Sequence, residues 1–174
     1  MKSIINYIKE SLNIFEKQNP FNVWIMVGLP GSGKSTYIKE VLPKSLDIIS
    51  QDYIRQELGI MKDDEHKAIG NSEQEKEVTK ICLERIDKEI EERHDFVIDN
   101  TNIKAGRVQN YYDKLKKANA NVQIIIIDTP KEICKDRRKE HIPEKVIDDM
   151  QLGLDKVKEK FKNNKDTIIV TNRY

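Results

Sequence analysis

The sequence predicts a three-layer α/β domain with a central, mostly parallel sheet and helices on both faces. Three observations predict it. Apolar runs of strand length recur along the chain: NVWIMVGL, LDIIS, FVIDN, VQIIIIDT and, near the C-terminus, DTIIVTN. Between them lie longer Lys- and Glu-rich segments with helical periodicity. Strands that alternate with helices form βαβ units, and these units build parallel sheets. Finally, QIIIID is apolar without alternation, as a strand buried on both faces should be.

The elements follow in order. Residues 1–20 include MKSIINYIKESLNIFEKQ, which places Ile4, Ile5, Ile8, Leu12 and Phe15 on one side of a helix. This helix is an addition ahead of the first strand, expected to pack on the sheet or on a neighbouring chain. NVWIMV then forms the first strand and runs into a Gly-rich stretch and a helix. LDIIS ends near Ser50, with a helix expected from Tyr53. SEQEKEVTKICLERIDKEIEERH is a long helix, and FVIDN is a strand that ends on Asp99. AGRVQNYYDKLKKANA is a helix starting near Lys104. After the central VQIIIIDT, Pro130 suits the first turn of a helix reaching Arg137, Arg138 and Lys139. A short turn containing Pro143 leads into EKVIDDMQLGLDKVKEKFKNN, another helix. No repeat, low-complexity segment or linker interrupts the chain. One domain over residues 1–174 is therefore expected, with a lid at about 130–145.

Composition limits the partners. Lys+Arg number 31 and Asp+Glu 30, so no global charge draws the protein to nucleic acid or membrane, and an anionic partner must be held by a local patch. An apolar fraction of 37% against 35% charged residues implies a small core under a charged, helix-rich surface. Cys82 and Cys134 lack the spacing of a metal site or disulfide framework. The N-terminus lacks the features of a signal peptide, and no run is long enough to span a bilayer. A cytoplasmic protein with no membrane partner is expected, and a homo-oligomer is compatible.

The Gly-rich stretch GLPGSGKS fits G-x-x-x-x-G-K-[ST] from Gly28 to Ser35, between a buried strand and a helix. Gly28, Gly31 and Gly33 let the backbone turn tightly and approach a ligand without Cβ interference. With Pro30 and Ser32 they form a loop whose N–H groups and following helix N-terminus make an anion nest. Lys34 supplies a point charge for the β- and γ-phosphates, Ser35 offers a hydroxyl to Mg²⁺, and Thr36 assists. A nucleoside triphosphate is the implied ligand; a kinase, an ATPase and a GTPase all fit.

Three further cues sit at strand ends, where parallel α/β sheets open their ligand crevice. In SQDYIRQE, Asp52 and Arg55 stand three residues apart. A carboxylate there can accept a proton from an attacking hydroxyl, and an arginine can bind a phosphate or an acidic neighbour. The plain alternative is that Asp52 caps a helix and Arg55 is solvated. In FVIDNTN, Asp99 ends a strand and can hold Mg²⁺ or fix an arginine. Asn100, Thr101 and Asn102 supply donors, or Thr101 or Asn102 simply caps the next helix. In DTPKEICKDRRKEHIPEKVIDDM, a basic helical hairpin can bring Arg137 and Arg138 to a transferring phosphoryl group. Glu132, Asp136 and Glu140 are interleaved, which also suits a salt-bridged solvated face.

Together GLPGSGKST, SQDYIR, DNTN and DTPKEICKDRR…IPEKVIDDM resemble the P-loop kinase domain of phage-type and bacterial polynucleotide 5′-kinases, from about Val23 to the end of the last long helix. The resemblance implies a P-loop kinase fold and transfer of the ATP γ-phosphate to a 5′-hydroxyl end of DNA or RNA, with Mg²⁺. It implies Asp52 as general base and Arg55 as ligand of the acceptor phosphate. Lys34 and Ser35 take the donor-phosphate and metal-linked positions, and Arg137 is the lid arginine. Asp99, Thr101 and Asn102 match an Asp-x-Thr-Asn element beside the substrate. The family often has Asn after the lid arginine, where this chain has Arg138. No Asp-x-Asp-x-Thr phosphatase signature occurs, so a kinase-only version is implied.

Two other readings share these motifs. Kinases of adenylylsulfate, gluconate or sugar nucleotides, or of a tRNA-linked group, share the loop and an early Asp. The near-neutral charge and few aromatics favour them, since stacking platforms for bases need aromatics; Tyr53, Tyr111 and Tyr112 are the near-site candidates, with ordinary helix packing the favoured reading of Tyr111 and Tyr112. A non-catalytic ATP-binding switch or toxin–antitoxin component is the third reading.

Overall fold

The computed structural model describes residues 3–4, 20–60, 71–139 and 141–171. The expected N-terminal helix lies outside the described residues, apart from Ser3, Ile4 and Pro20. Among the described residues five strands form one sheet: β1 (Asn22–Val27), β2 (Asp47–Ile49), β3 (Phe96–Asp99), β4 (Asn121–Asp128) and β5 (Thr167–Thr171). Their spatial order is β2-β3-β1-β4-β5, and all four pairings are parallel. The connecting helices are α1 (Lys34–Val41), α2 (Gln51–Glu57), α3 (Ser72–Glu92), α4 (Ala105–Lys117), α5 (Lys131–Arg138) and α6 (Glu144–Phe161).

Alternate residues of each strand face opposite layers. Val23, Ile25, Phe96, Ile98, Val122, Ile124 and Ile126 enter the larger core, where they meet Val78, Cys82 and Ile86 of α3, Val108 and Leu115 of α4, and Ile147, Leu154 and Phe161 of α6. Met26, Val97, Ile125 and Ile127 face the other way, under Ile38 of α1. Strands covered on both faces explain the uninterrupted apolar run of β4.

Four of the helix starts have a local cause. Ser50 caps α2, its Oγ accepting from the Asp52 N–H at 3.2 Å. Asn71 and Gln74 form a reciprocal capping box on α3. Pro130 and Pro143 precede α5 and α6 with φ near the value their rings impose. Gly153 lets α6 close on the loop after β3, since a Cβ there would lie 2.7 Å from the Ile103 carbonyl oxygen. No helix among the described residues is long and apolar enough to cross a membrane.

Candidate active site

Parallel pairing brings the C-terminal ends of β1, β2, β3 and β4 to one rim. There they surround a cleft of about 1130 Å³ whose walls include Lys34, Ser35, Asp52, Asp99, Arg137 and Arg138.

The loop from Gly28 to Lys34 forms the floor. Gly31 and Gly33 adopt φ of 77° and 100°, in the left-handed region that a side chain disfavours. A Cβ on Gly31 would also meet Arg138 Cγ at 3.0 Å and the Cys134 carbonyl oxygen at 3.2 Å, so α5 rests directly on the loop. The loop is tied from three directions. The Gly28 N–H donates to the Thr101 carbonyl at 3.0 Å, the buried Thr129 hydroxyl donates to the Ser32 carbonyl at 2.7 Å, and Arg137 Nη1 donates to the Gly31 carbonyl at 3.0 Å. Lys131 and Lys135 of α5 both donate to Asp148 of α6, at 2.9 and 3.0 Å, which fixes the hairpin that carries the arginines.

Lys34 points back across the floor. Its Nζ donates to the carbonyls of Leu29 (2.9 Å) and Gly28 (3.2 Å). Burial pushes its pKa below the ordinary lysine value although Asp99 and Asp52 pull the other way; Arg138 adds to the lowering. Asp99 lies opposite, its Oδ2 accepting from Ser35 Oγ at 3.1 Å. Burial pushes the Asp99 carboxyl up, against Lys34 and the Ser35 hydrogen bond, and Asp52 pushes it further.

Asp52 stands on the wall of the same cleft. Helix α2 begins at Gln51, two residues before its expected start, and Ser50 rather than Asp52 is the cap. The Gln51 N–H is taken by Asn100 Oδ1 at 2.8 Å. The Asp52 carboxylate is thus spared from capping and stays 63% exposed. Its Oδ1 accepts from Arg55 Nη1 at 2.6 Å. Arg55 is only 16% exposed, and Glu75 of α3 grips it from behind through Nε (2.9 Å) and Nη2 (2.8 Å). The hydrogen bond from Arg55 is the main cause holding the Glu75 carboxyl below its usual pKa. Arg55, placed in sequence as a substrate ligand, is therefore also the brace of Asp52.

Two expectations need correction. Asn102 does not face the cleft. It is 3% exposed with φ of +48°, and its Nδ2 donates to the Met26 carbonyl at 2.8 Å, pinning the end of β1. Neither Thr101 nor Asn102 caps α4, which starts after Lys104 without a side-chain cap; Thr101 lines the cleft and offers its carbonyl to the phosphate loop. Tyr111 and Tyr112 pack as the favoured reading expected: Tyr111 is a core residue, and Tyr112 donates its hydroxyl to Asp166 at 2.7 Å. Glu75 was not singled out in the sequence. It is one acid among several in the first turns of α3, and only packing against α2 distinguishes it.

Among solved structures, a chain of the Pnkp1/Rnl/Hen1 RNA repair complex is similar with a TM-score of 0.68 and 23% identity, over 83% of this chain and 47% of that one. The present chain thus spans about half that chain's length. A sugar kinase from Janibacter sp. HTCC2649 gives a TM-score of 0.57 at 18% identity, over 87% of this chain and 86% of that one. A chain of AvrRxo1-ORF1:-ORF2 with ATP gives 0.64 at 13% identity, over 95% and 63%. At such identities the likeness is one of fold, the α/β phosphate-loop fold of kinases. A search of curated proteins finds no match. The family model for the AAA domain matches residues 23–157, from the first strand through the phosphate loop and the basic hairpin into α6, so the chain belongs to the AAA domain family.

Proposed function

We propose that the protein transfers the γ-phosphoryl group of ATP to the 5′-hydroxyl end of DNA or RNA. The observation that carries this reading is the opening of Asp52 onto the cleft floored by the phosphate loop. A hydroxyl held between them has an acid–base group on one side and a phosphate nest on the other.

The residues divide the work. The backbone of Gly28 to Gly33 cradles the donor phosphates. Lys34 leaves its loop carbonyls to place its charge on the phosphate oxygens. Arg137 and Arg138 reach the same charge from α5 and stabilise it as it spreads over the equatorial oxygens. Asp52 aligns the acceptor hydroxyl and takes its proton. Arg55, braced by Glu75, holds Asp52 through Oδ1 and directs its unused donors towards the acceptor's adjacent phosphate. Thr36 and Thr101 line the same walls.

A divalent cation fits the donor set present. Ser35 Oγ and Asp99 Oδ2 lie 3.1 Å apart; neighbouring oxygens on an octahedral Mg²⁺ with 2.0–2.1 Å bonds lie about 2.9 Å apart. Bound there, Mg²⁺ would neutralise charge on the phosphate oxygens. The raised carboxyl of Asp99 makes the site sensitive to acid, because a proton competes for Asp99 at higher pH than for an ordinary aspartate. The Mg²⁺ concentration needed for half-maximal rate is therefore expected to rise as pH falls towards the raised titration range of this carboxyl, and to rise less steeply in Asp99→Asn. Equal slopes for the two proteins would exclude Asp99 from the metal site.

Glu75→Gln keeps the size of the side chain and removes the charge that grips Arg55. It is expected to lower kcat about tenfold, the value of one charge-assisted hydrogen bond, with ATP KM unchanged. An unchanged kcat would separate Glu75 from the reaction.

Incubation with γ-labelled ATP and a panel of acceptors tests the function directly. Label on 5′-hydroxyl oligonucleotides supports the reading. Label only on a sugar or sugar acid supports the second reading, a small-molecule kinase, which the likeness to the Janibacter sugar kinase over most of both chains favours.

A further inference from the structure

We infer that Tyr53 is the platform on which the terminal base of the acceptor stacks, so that the acceptor must carry a nucleobase beside its 5′-hydroxyl. The inference rests on the phosphotransferase reading and narrows its substrate class. Exposure alone assigns an aromatic side chain no role; its place beside the site can. Among the described residues Phe21, Phe96, Tyr111 and Phe161 are buried. The half-buried aromatics are engaged elsewhere: Trp24 Nε1 donates to Gln123, Tyr112 donates to Asp166, and Tyr37 packs against the smaller core. Tyr53 alone is exposed, at 47%, and its hydroxyl has no hydrogen-bond partner among the described residues.

Its position matches a stacking role. Tyr53 follows Asp52 directly on α2 and lines the cleft with it. A sugar whose 5′-oxygen lies at Asp52 brings its base to the neighbouring wall. Gln56 of α2 and Val41 of α1, the latter 59% exposed, line the same cleft. Arg55 is held by Glu75 and Asp52 and is thereby fixed in place next to the acceptor. A base there finds an aromatic face and an aliphatic edge. Stacking tolerates any base because each presents a π-face, so one tyrosine selects nucleic acid without selecting sequence.

The test compares two 5′-hydroxyl oligonucleotides that differ only at the first residue, one with a base and one abasic, using wild type, Tyr53→Ala and Tyr53→Phe. The wild type is expected to favour the base-bearing acceptor about tenfold in kcat/KM, the scale of one base–aromatic stack. Tyr53→Phe should keep this preference, and Tyr53→Ala should lose it with ATP KM unchanged. Equal use of both acceptors by the wild type, or a preference that survives Tyr53→Ala, overturns the inference and leaves the kinase reading standing. Absence of transfer to any 5′-hydroxyl oligonucleotide, with label on a small acceptor, overturns both.

Discussion

Asp52→Asn is expected to lower kcat by about 10²- to 10⁴-fold, the contribution of a positioned general base, while ATP affinity is retained. The geometry makes this substitution unusually clean. Helix α2 loses no cap, because Ser50 Oγ and Asn100 Oδ1 already hold its first N–H groups. The amide oxygen of Asn can still accept from Arg55 Nη1, as Oδ1 does now at 2.6 Å. What disappears is the negative charge and the proton acceptor on the exposed side, where Oδ2 has no partner among the described residues. Since the side chain is largely solvated, the melting temperature should stay close to wild type. Turnover within about threefold of wild type would remove Asp52 from the chemistry and reduce the site to nucleotide binding.

The fold was legible because its signals are steric and hydrophobic. The central strands are packed on both faces and so are apolar, while the edge strands β2 and β5 keep apolar runs although they are largely exposed or half-buried; alternating helices implied the parallel direction of all five. The glycines at 31 and 33 mark backbone that a side chain would strain, which makes the phosphate loop visible without a structure. The acceptor side was harder. In Ser50-Gln51-Asp52 two side chains can cap a helix, and the choice between them decides whether the carboxylate is structural or free. That choice depends on Asn100, which arrives from another strand end. Asn102 misled for a related reason: a polar residue beside an active-site carboxylate looks like a ligand, but here its donor is spent on a strand-end carbonyl inside the protein. Glu75 could not be read at all, since which acid of an acidic helix turn faces Arg55 is a tertiary fact.

Lys34→Met is expected to lower kcat/KM by about 10³-fold or more, because the methionine fills the lysine's space without the charge that the developing phosphate oxygens require. A second signature is a proton balance. The Lys34 ammonium rests on two carbonyls, and burial depresses its pKa. The sign follows from linkage: an unfolded chain with an ordinary lysine binds more protons than the folded one between the depressed value and 10.5, so this group makes stability rise with pH across that window. Phosphates placed on the loop restore the preference for the charged form. ATP binding at alkaline pH should therefore take up protons, seen by calorimetry as a heat that varies with the buffer's ionisation enthalpy. Lys34→Met should abolish that dependence, and the wild type's melting temperature should gain on the variant's as pH rises through that window. If the variant binds ATP with the same proton uptake as wild type, the charge that meets the phosphates is not Lys34. The arginines of α5 would then have to carry donor binding as well as transfer.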